Sequence, residues 1–197
     1  SSDVCSSDLA YYQDYATYFV KWVQAFNAEG IDIYAVTPQN EPLNRGNSAS
    51  LYMSWEEQRD FVKTALGPKF KTAGLATKIY AYDHNYDYSD IATEKNYPGK
   101  MYEDAAASQY LAGAAYHNYG GNREELLNIH KAYPEKELLF TETSIGTWNS
   151  GRDLSKRLLE DMKEVALGTI NNWCRGVIVW NLMLDNDRAP NREGGCQ

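Results

Sequence analysis

The sequence predicts an α/β protein built on a parallel sheet, and three observations predict it. Runs with helical and with strand periodicity alternate five times along 197 residues, the pattern of strands joined by helical crossovers. The chemically interesting polar residues gather at the C-terminal ends of the strand runs, where barrel and doubly wound proteins both place their sites. No glycine-rich phosphate loop follows any strand run, which favours the barrel over a nucleotide fold. A complete eight-unit barrel takes about 250 residues. Five strand runs in a chain that opens on a helix therefore read as strands four to eight of a (β/α)8 TIM barrel, with the first three strands missing.

The opening nine residues repeat Ser-Ser-Asp without periodicity. They are set aside as a non-native or disordered leader, and the barrel piece is assigned to residues 10–197. From Ala10 to Glu29 the apolar residues Tyr12, Tyr15, Tyr18, Phe19, Trp22, Val23 and Phe26 recur at helical spacing. Gly30 then stands where a helix end takes a left-handed residue. A strand is expected over Asp32–Thr37, followed by a long polar loop from Pro38 to Met53. Ser54-Trp55-Glu56-Glu57 is a capping box, opening a helix expected to stop at Gly67-Pro68.

The second strand is expected over Lys78–Tyr82, leading into Asp83-His84-Asn85, with helix somewhere between Asp87 and Ser108. Leu111–Tyr116 reads as the third strand, ending in His117-Asn118-Tyr119-Gly120-Gly121. Asn122-Arg123-Glu124-Glu125 reads as another capping box, its helix ending near Tyr133-Pro134. Leu138–Phe140 leads to Thr141-Glu142-Thr143-Ser144. A helix is expected from Arg152 to Asn171, and a last strand over Gly176–Asn181.

Composition narrows the function. A net charge of −8 argues against nucleic-acid or anionic-membrane partners, which select basic faces. No apolar run reaches the length of a membrane span. Cys5, Cys174 and Cys196 have no metal-ligand spacing, and the three histidines include no zinc-helix pair, so neither a metal nor another cofactor is expected. Cys174, in an apolar run, reads as a buried free thiol. Sixteen tyrosines and five tryptophans offer platforms for sugar rings, although most such rings serve as core and rim.

Two strand ends carry the chemistry. Ile31–Val36 delivers Thr37-Pro38-Gln39-Asn40-Glu41-Pro42 to a sharp stop, because proline lacks the ladder donor and restricts the residue before it. Glu142 repeats the arrangement 101 residues downstream. Two carboxyls facing one pocket are the minimum for hydrolysing a glycosidic bond: one starts protonated, the other ionised. Glu41 is assigned as acid/base and Glu142 as nucleophile. Asn40, next to Glu41, should point the other way on an extended chain unless the backbone kinks, and is a candidate donor to a sugar hydroxyl. His117 and Tyr119, two apart, share one face, and Tyr119 is placed to donate to Glu142. Trp180 ends the last strand with a face suited to sugar stacking. Asp83 and His84 are read first as structural, with the rim of the site as the alternative.

These motifs resemble glycoside hydrolase family 30, the family of glucosylceramidases and bacterial β-1,6-glucanases. Ala35–Pro42 resembles its acid/base strand, Phe140–Ser144 its nucleophile strand, His117-Asn118-Tyr119 its sixth strand and Val179–Leu182 its eighth. Glu57–Phe61 followed by Leu66-Gly67-Pro68 resembles the helix after the acid/base strand. The likeness runs in order over about residues 10–197. It implies a retaining β-glycosidase without a metal, acting on a carbohydrate or glycolipid such as glucosylceramide or a β-1,6-linked glucan, in a secreted or periplasmic parent. β-Xylosidase, xylanase and β-galactanase chemistry stay open, as does a non-catalytic sugar-binding remnant. With three strands and the accompanying β-sandwich missing, residues 10–197 alone are expected to be insoluble or inactive.

Overall fold

A computed structural model describes residues 9–46, 51–87, 91–144 and 153–180. Five strands form one parallel sheet in sequential order: β1 (Ala35–Val36), β2 (Lys78–Asn85), β3 (Leu111–His117), β4 (Glu137–Glu142) and β5 (Cys174–Val177). Each crossover carries helix, so the alternation read from the sequence becomes a half-barrel. Helix α1 (Leu9–Ala28) precedes β1; its side toward the protein buries Tyr12, Ala16 and Val23. Tyr12, Tyr15 and Phe19 pack their rings on Phe61 at centroid distances of 5.4, 5.0 and 6.4 Å. Tyr18, Trp22 and Phe26 lie on the exposed side instead. Gly30 closes the helix at φ 77°, where a side chain would be strained.

Several expected bounds shift. β1 is confined to Ala35–Val36, because its only described partner, β2, pairs through just Ala35↔Lys78 and Val36↔Ile79. Ser54 caps α2 (Trp55–Phe61) with a complete capping box. That helix does not stop at Gly67-Pro68. It passes through a π-helical stretch, Val62–Leu66, into α3 (Gly67–Thr72). Pro68 falls at the start of α3, where its missing N–H costs little, and Gly67 is needed because a Cβ there would strike the Tyr110 ring.

A single 3₁₀ turn (Ala92–Glu94), α4 (Tyr97–Glu103) and α5 (Ala105–Ser108) occupy the stretch left open by sequence. Helix α6 (Glu124–Ala132) starts after Arg123 without a side-chain capping box; Asn122 Oδ1 instead accepts from the Glu124 N–H at 2.9 Å. The last helix runs as α7 (Leu154–Glu160), a π-helical stretch (Asp161–Ala166) and α8 (Leu167–Ile170). β5 begins two residues earlier than expected and ends at Val177; Asn181 and the tail lie outside the described residues, as do Cys5 and Cys196. Cys174 is a buried free thiol. No described helix is long and apolar enough to cross a membrane.

The core lies between helices and sheet, with Phe61, Leu66, Tyr97, Met101, Leu126 and Phe140 almost wholly buried. At the N-terminal ends of the strands Glu137 gathers donors from several segments. Lys78 Nζ reaches it at 2.8 Å, Arg175 at 2.9 Å and the Tyr34 hydroxyl at 3.3 Å, and the Tyr80 hydroxyl also donates to it. At the opposite ends the ladder breaks. β2 pairs Tyr82↔Ala115 and then His84↔Tyr116, which leaves Asp83 as an extra residue. β4 pairs Tyr116↔Phe140 and then His117↔Glu142, which leaves Thr141 as an extra residue. Such bulges re-aim side chains next to sites.

Candidate active site

Both bulges point into the same place. Tyr82 and Asp83 sit at φ 74° and 66°, conformations that a β-run of L-residues avoids. The displaced Tyr82 N–H is received by Gln58 Oε1 at 2.9 Å, from the buried side of α2. The kink turns Asp83 inward, where it is buried and accepts three donors. Thr37 Oγ1 reaches Oδ2 at 2.6 Å, Thr141 Oγ1 reaches Oδ1 at 2.6 Å, and His117 Nε2 lies 3.1 Å from Oδ1. Asp83 thus ties four strand ends together. Burial alone would raise its pKa, but these donors, His117 foremost, bring it below the ordinary carboxylate value.

Glu41 is presented by a second kink. Its φ is 46°, so the chain bends just after Asn40, and its N–H is held by the Asp83 carbonyl at 2.9 Å. The side chain is buried. Oε2 accepts from Asn44 Nδ2 at 2.8 Å, and Oε1 lies 3.3 Å from His117 Nδ1. His117, 1% exposed, therefore stands between two carboxylates. Burial pushes its pKa down, but the hydrogen bonds to Asp83 and Glu41 win and carry it up to about 9. The same contact with His117 draws Glu41 below the ordinary carboxylate range, against its burial.

Tyr119, two residues beyond His117, donates its hydroxyl to Glu142 Oε1 at 3.1 Å. Glu142 is raised by burial, with the charge of Glu41 adding to the rise while His117 and Tyr119 oppose it. Asn40 is exposed beside Glu41. Trp180, half exposed, donates its backbone N–H to the Thr143 carbonyl at 2.9 Å, which extends the β4–β5 pairing past Glu142. One hydrogen-bonded array thus joins Glu41, His117 and Asp83, and Tyr119, two residues beyond His117, bonds separately to Glu142. Asn40 and Trp180 flank that array along the chain.

The directions of titration reverse the simple expectation. A protonated acid and an ionised nucleophile would show Glu41 raised and Glu142 lowered; here Glu41 is lowered and Glu142 raised. The cause is local: a protonated imidazole donates to Glu41, whereas burial dominates at Glu142, whose one side-chain donor among the described residues is the Tyr119 phenol.

Glu41, His84 and His117 offer ligand atoms within 4.8 Å of one another, the one such group among the described residues. Their hydrogen bonding does not fit a metal. His84 Nδ1 accepts the Asn85 N–H at 2.8 Å, which puts the ring proton on Nε2, and His117 faces carboxylate oxygens with both nitrogens. Burial keeps His84 neutral, with a pKa lowered to about 4.

The partners that sequence reasoning passed over are Asp83 as the hub, its threonines Thr37 and Thr141, and Asn44. A signal existed for the threonines, since each lies close to one of the glutamates in sequence. None existed for the inward turn of Asp83, which depends on Gln58.

The chain matches the glycosyl hydrolase family 30 TIM-barrel domain over residues 4–194. An endo-1,6-β-D-glucanase of Trichoderma harzianum is 36% identical over 189 residues, covering 92% of this chain and 35% of that protein. The lysosomal acid glucosylceramidase of Mus musculus is 24% identical over 205 residues, covering 92% of this chain and 36% of that protein. A solved endo-β1,6-glucanase is 88% identical with a TM-score of 0.92, covering 96% of this chain and 42% of that one. The chain therefore spans well under half the length of the relatives it matches.

Proposed function

Because this chain belongs to glycosyl hydrolase family 30, we propose that it carries the two-glutamate centre of a retaining hydrolase of β-1,6-linked glucan. The observation that carries the reading is that one strand end, through His117 and Tyr119, reaches both Glu41 and Glu142. In this mechanism Glu142 attacks the anomeric carbon while Glu41 protonates the leaving oxygen. Glu41 then takes a proton from the water that releases the sugar. Tyr119 holds the nucleophile in place, Asn40 donates to a sugar hydroxyl and Trp180 stacks on a ring.

The 88% identity to an endo-β1,6-glucanase supports the glucan as substrate over glucosylceramide, xylan or galactan. It also favours turnover over a sugar-binding remnant. A polymer of that kind is met outside the cytoplasm, which favours a secreted or periplasmic setting.

The test uses the full natural chain that contains these residues. Glu142→Gln should abolish hydrolysis while leaving glucan affinity largely intact. A 2-deoxy-2-fluoro glucoside should leave a covalent sugar on the Glu142 peptide, read by mass spectrometry. Label on another residue, or hydrolysis with inversion, would overturn the reading.

A further inference from the structure

Resting on the acid/base role given to Glu41, we infer that His117 stores the proton that Glu41 delivers, and that Asp83 holds the imidazole in place for this exchange. The geometry is that of a relay with one open end. His117 Nε2 is committed to a buried, triply bonded Asp83, while Nδ1 faces Glu41 Oε1 at 3.3 Å. The Asp83 side can neither turn nor gain solvent, because Thr37 and Thr141 fix both of its oxygens. The exchangeable proton therefore sits on the Glu41 side.

The charged and titratable groups around His117 agree on its form. Asp83 on β2, Glu41 after β1 and Glu142 on β4 all favour the imidazolium. His84 on β2 opposes it only weakly, because it is itself neutral. The Tyr119 ring lies 6.1 Å away and edge-on.

The exchange balances in both halves of the reaction. As the glycosidic C–O bond breaks, Glu41 transfers one proton to the leaving oxygen and draws one from His117 Nδ1. The imidazole ends neutral, still donating Nε2–H to Asp83. As water attacks the glycosyl-enzyme, Glu41 accepts the water proton and returns one to Nδ1, restoring the imidazolium. Asp83 stays ionised throughout. This resolves the reversed titration of the two glutamates. A lowered pKa at Glu41 does not deprive the centre of its acid, because the proton waits one hydrogen bond away.

The experiment has two arms. The first needs no turnover: imidazole NMR of the protein, with the His117 signal told from those of His84 and His130 by its loss in His117→Gln. His117 should titrate near 9, and Asp83→Asn should bring it down by more than one unit. Should Asp83→Asn not fold, Glu41→Gln removes the other carboxylate and should also lower it.

The second arm is kinetic. His117→Gln should lower kcat/KM on β-1,6-glucan by about 100-fold and remove the alkaline limb of its pH profile. A 2,4-dinitrophenyl β-glucoside, whose leaving group needs no proton, should lose no more than about threefold. Wild-type His117 titrating at or below its ordinary value of about 6.5 would overturn the inference. Equal losses on both substrates would overturn it too, reducing His117 to a structural part. If the wild type turned over neither substrate, the glycosidase reading would fall and the NMR arm alone would decide where the proton resides.

Discussion

The hydroxyl of Tyr119 donates to Oε1 of Glu142 at 3.1 Å, two residues along the chain from the histidine that reaches Glu41. That bond lowers the pKa of a carboxyl which burial raises. Tyr119→Phe should therefore raise it further and leave less Glu142 ionised under mildly acidic conditions. We expect kcat/KM to fall by about 10-fold or more, the worth of a hydrogen bond to a charged group. The acid limb of the pH profile should move to higher pH. An unchanged acid limb would separate Tyr119 from the group that sets it.

His117 makes stability depend on pH in a definite direction. Its pKa rises from the ordinary value of 6.5 to about 9 on folding. The stabilisation is fully present below about 6.5 and is lost as pH climbs through about 9. Urea midpoints should fall between pH 6.5 and 9.5 in the wild type, and this decline should flatten in His117→Gln. A wild-type midpoint that stays level over this range would contradict the bridged imidazolium.

Gln58 lies on α2, outside the array, yet it receives the N–H displaced by the β2 bulge. Gln58→Met keeps the volume and removes the acceptor. It should cost about 1–3 kcal/mol by leaving a buried N–H unpaired. The Tyr82–Asp83 kink would also lose the acceptor of its displaced N–H, so kcat should fall with KM nearly unchanged. Equilibrium unfolding and steady-state kinetics on the one variant test both halves.

Gly113 in β3 lies opposite Glu137, and a Cβ there would collide with the Glu137 backbone carbonyl. Gly113→Ala should force β3 and β4 apart and destabilise by about 1–3 kcal/mol. Thermal melting would read this as a clear drop in Tm. A wild-type melting curve would mean that the two strands sit farther apart than described.

What the sequence made legible was local in origin. Gly30 and the Ser54 capping box announce helix ends through their own backbones, and both stand where expected. The five strands appear in order because each is a short β-rich run closed by polar residues. Gly67-Pro68 misled because its meaning is tertiary: the glycine makes room for Tyr110, 43 positions away, and the proline starts a new helical segment. Asp83 was underrated for the same kind of reason. Its inward turn depends on Gln58 and on Thr141, and neither is a neighbour in the chain. The glutamates were visible as strand-end carboxylates, but the 3.3 Å approach of His117 Nδ1 to Glu41 is a property of the fold and not of the chain order.

The Glu137 network gives the two ends of this sheet different mechanics. Lys78, Tyr80, Arg175 and Tyr34 fasten the lower ends of the strands to one carboxylate. The upper ends give up ladder bonds at Asp83 and Thr141. Asp83, through Thr37, Thr141 and His117, clamps those upper ends in its turn, so each end of the sheet hangs on one carboxylate and can be loosened apart from the other. In Asp83→Asn, amides of 83–85 and 142–143 should exchange with deuterium faster than in the wild type, while those of 79–81 and 138–139 should keep their rates. The strand ends that carry the candidate residues could then be released at little cost to the fold beneath them.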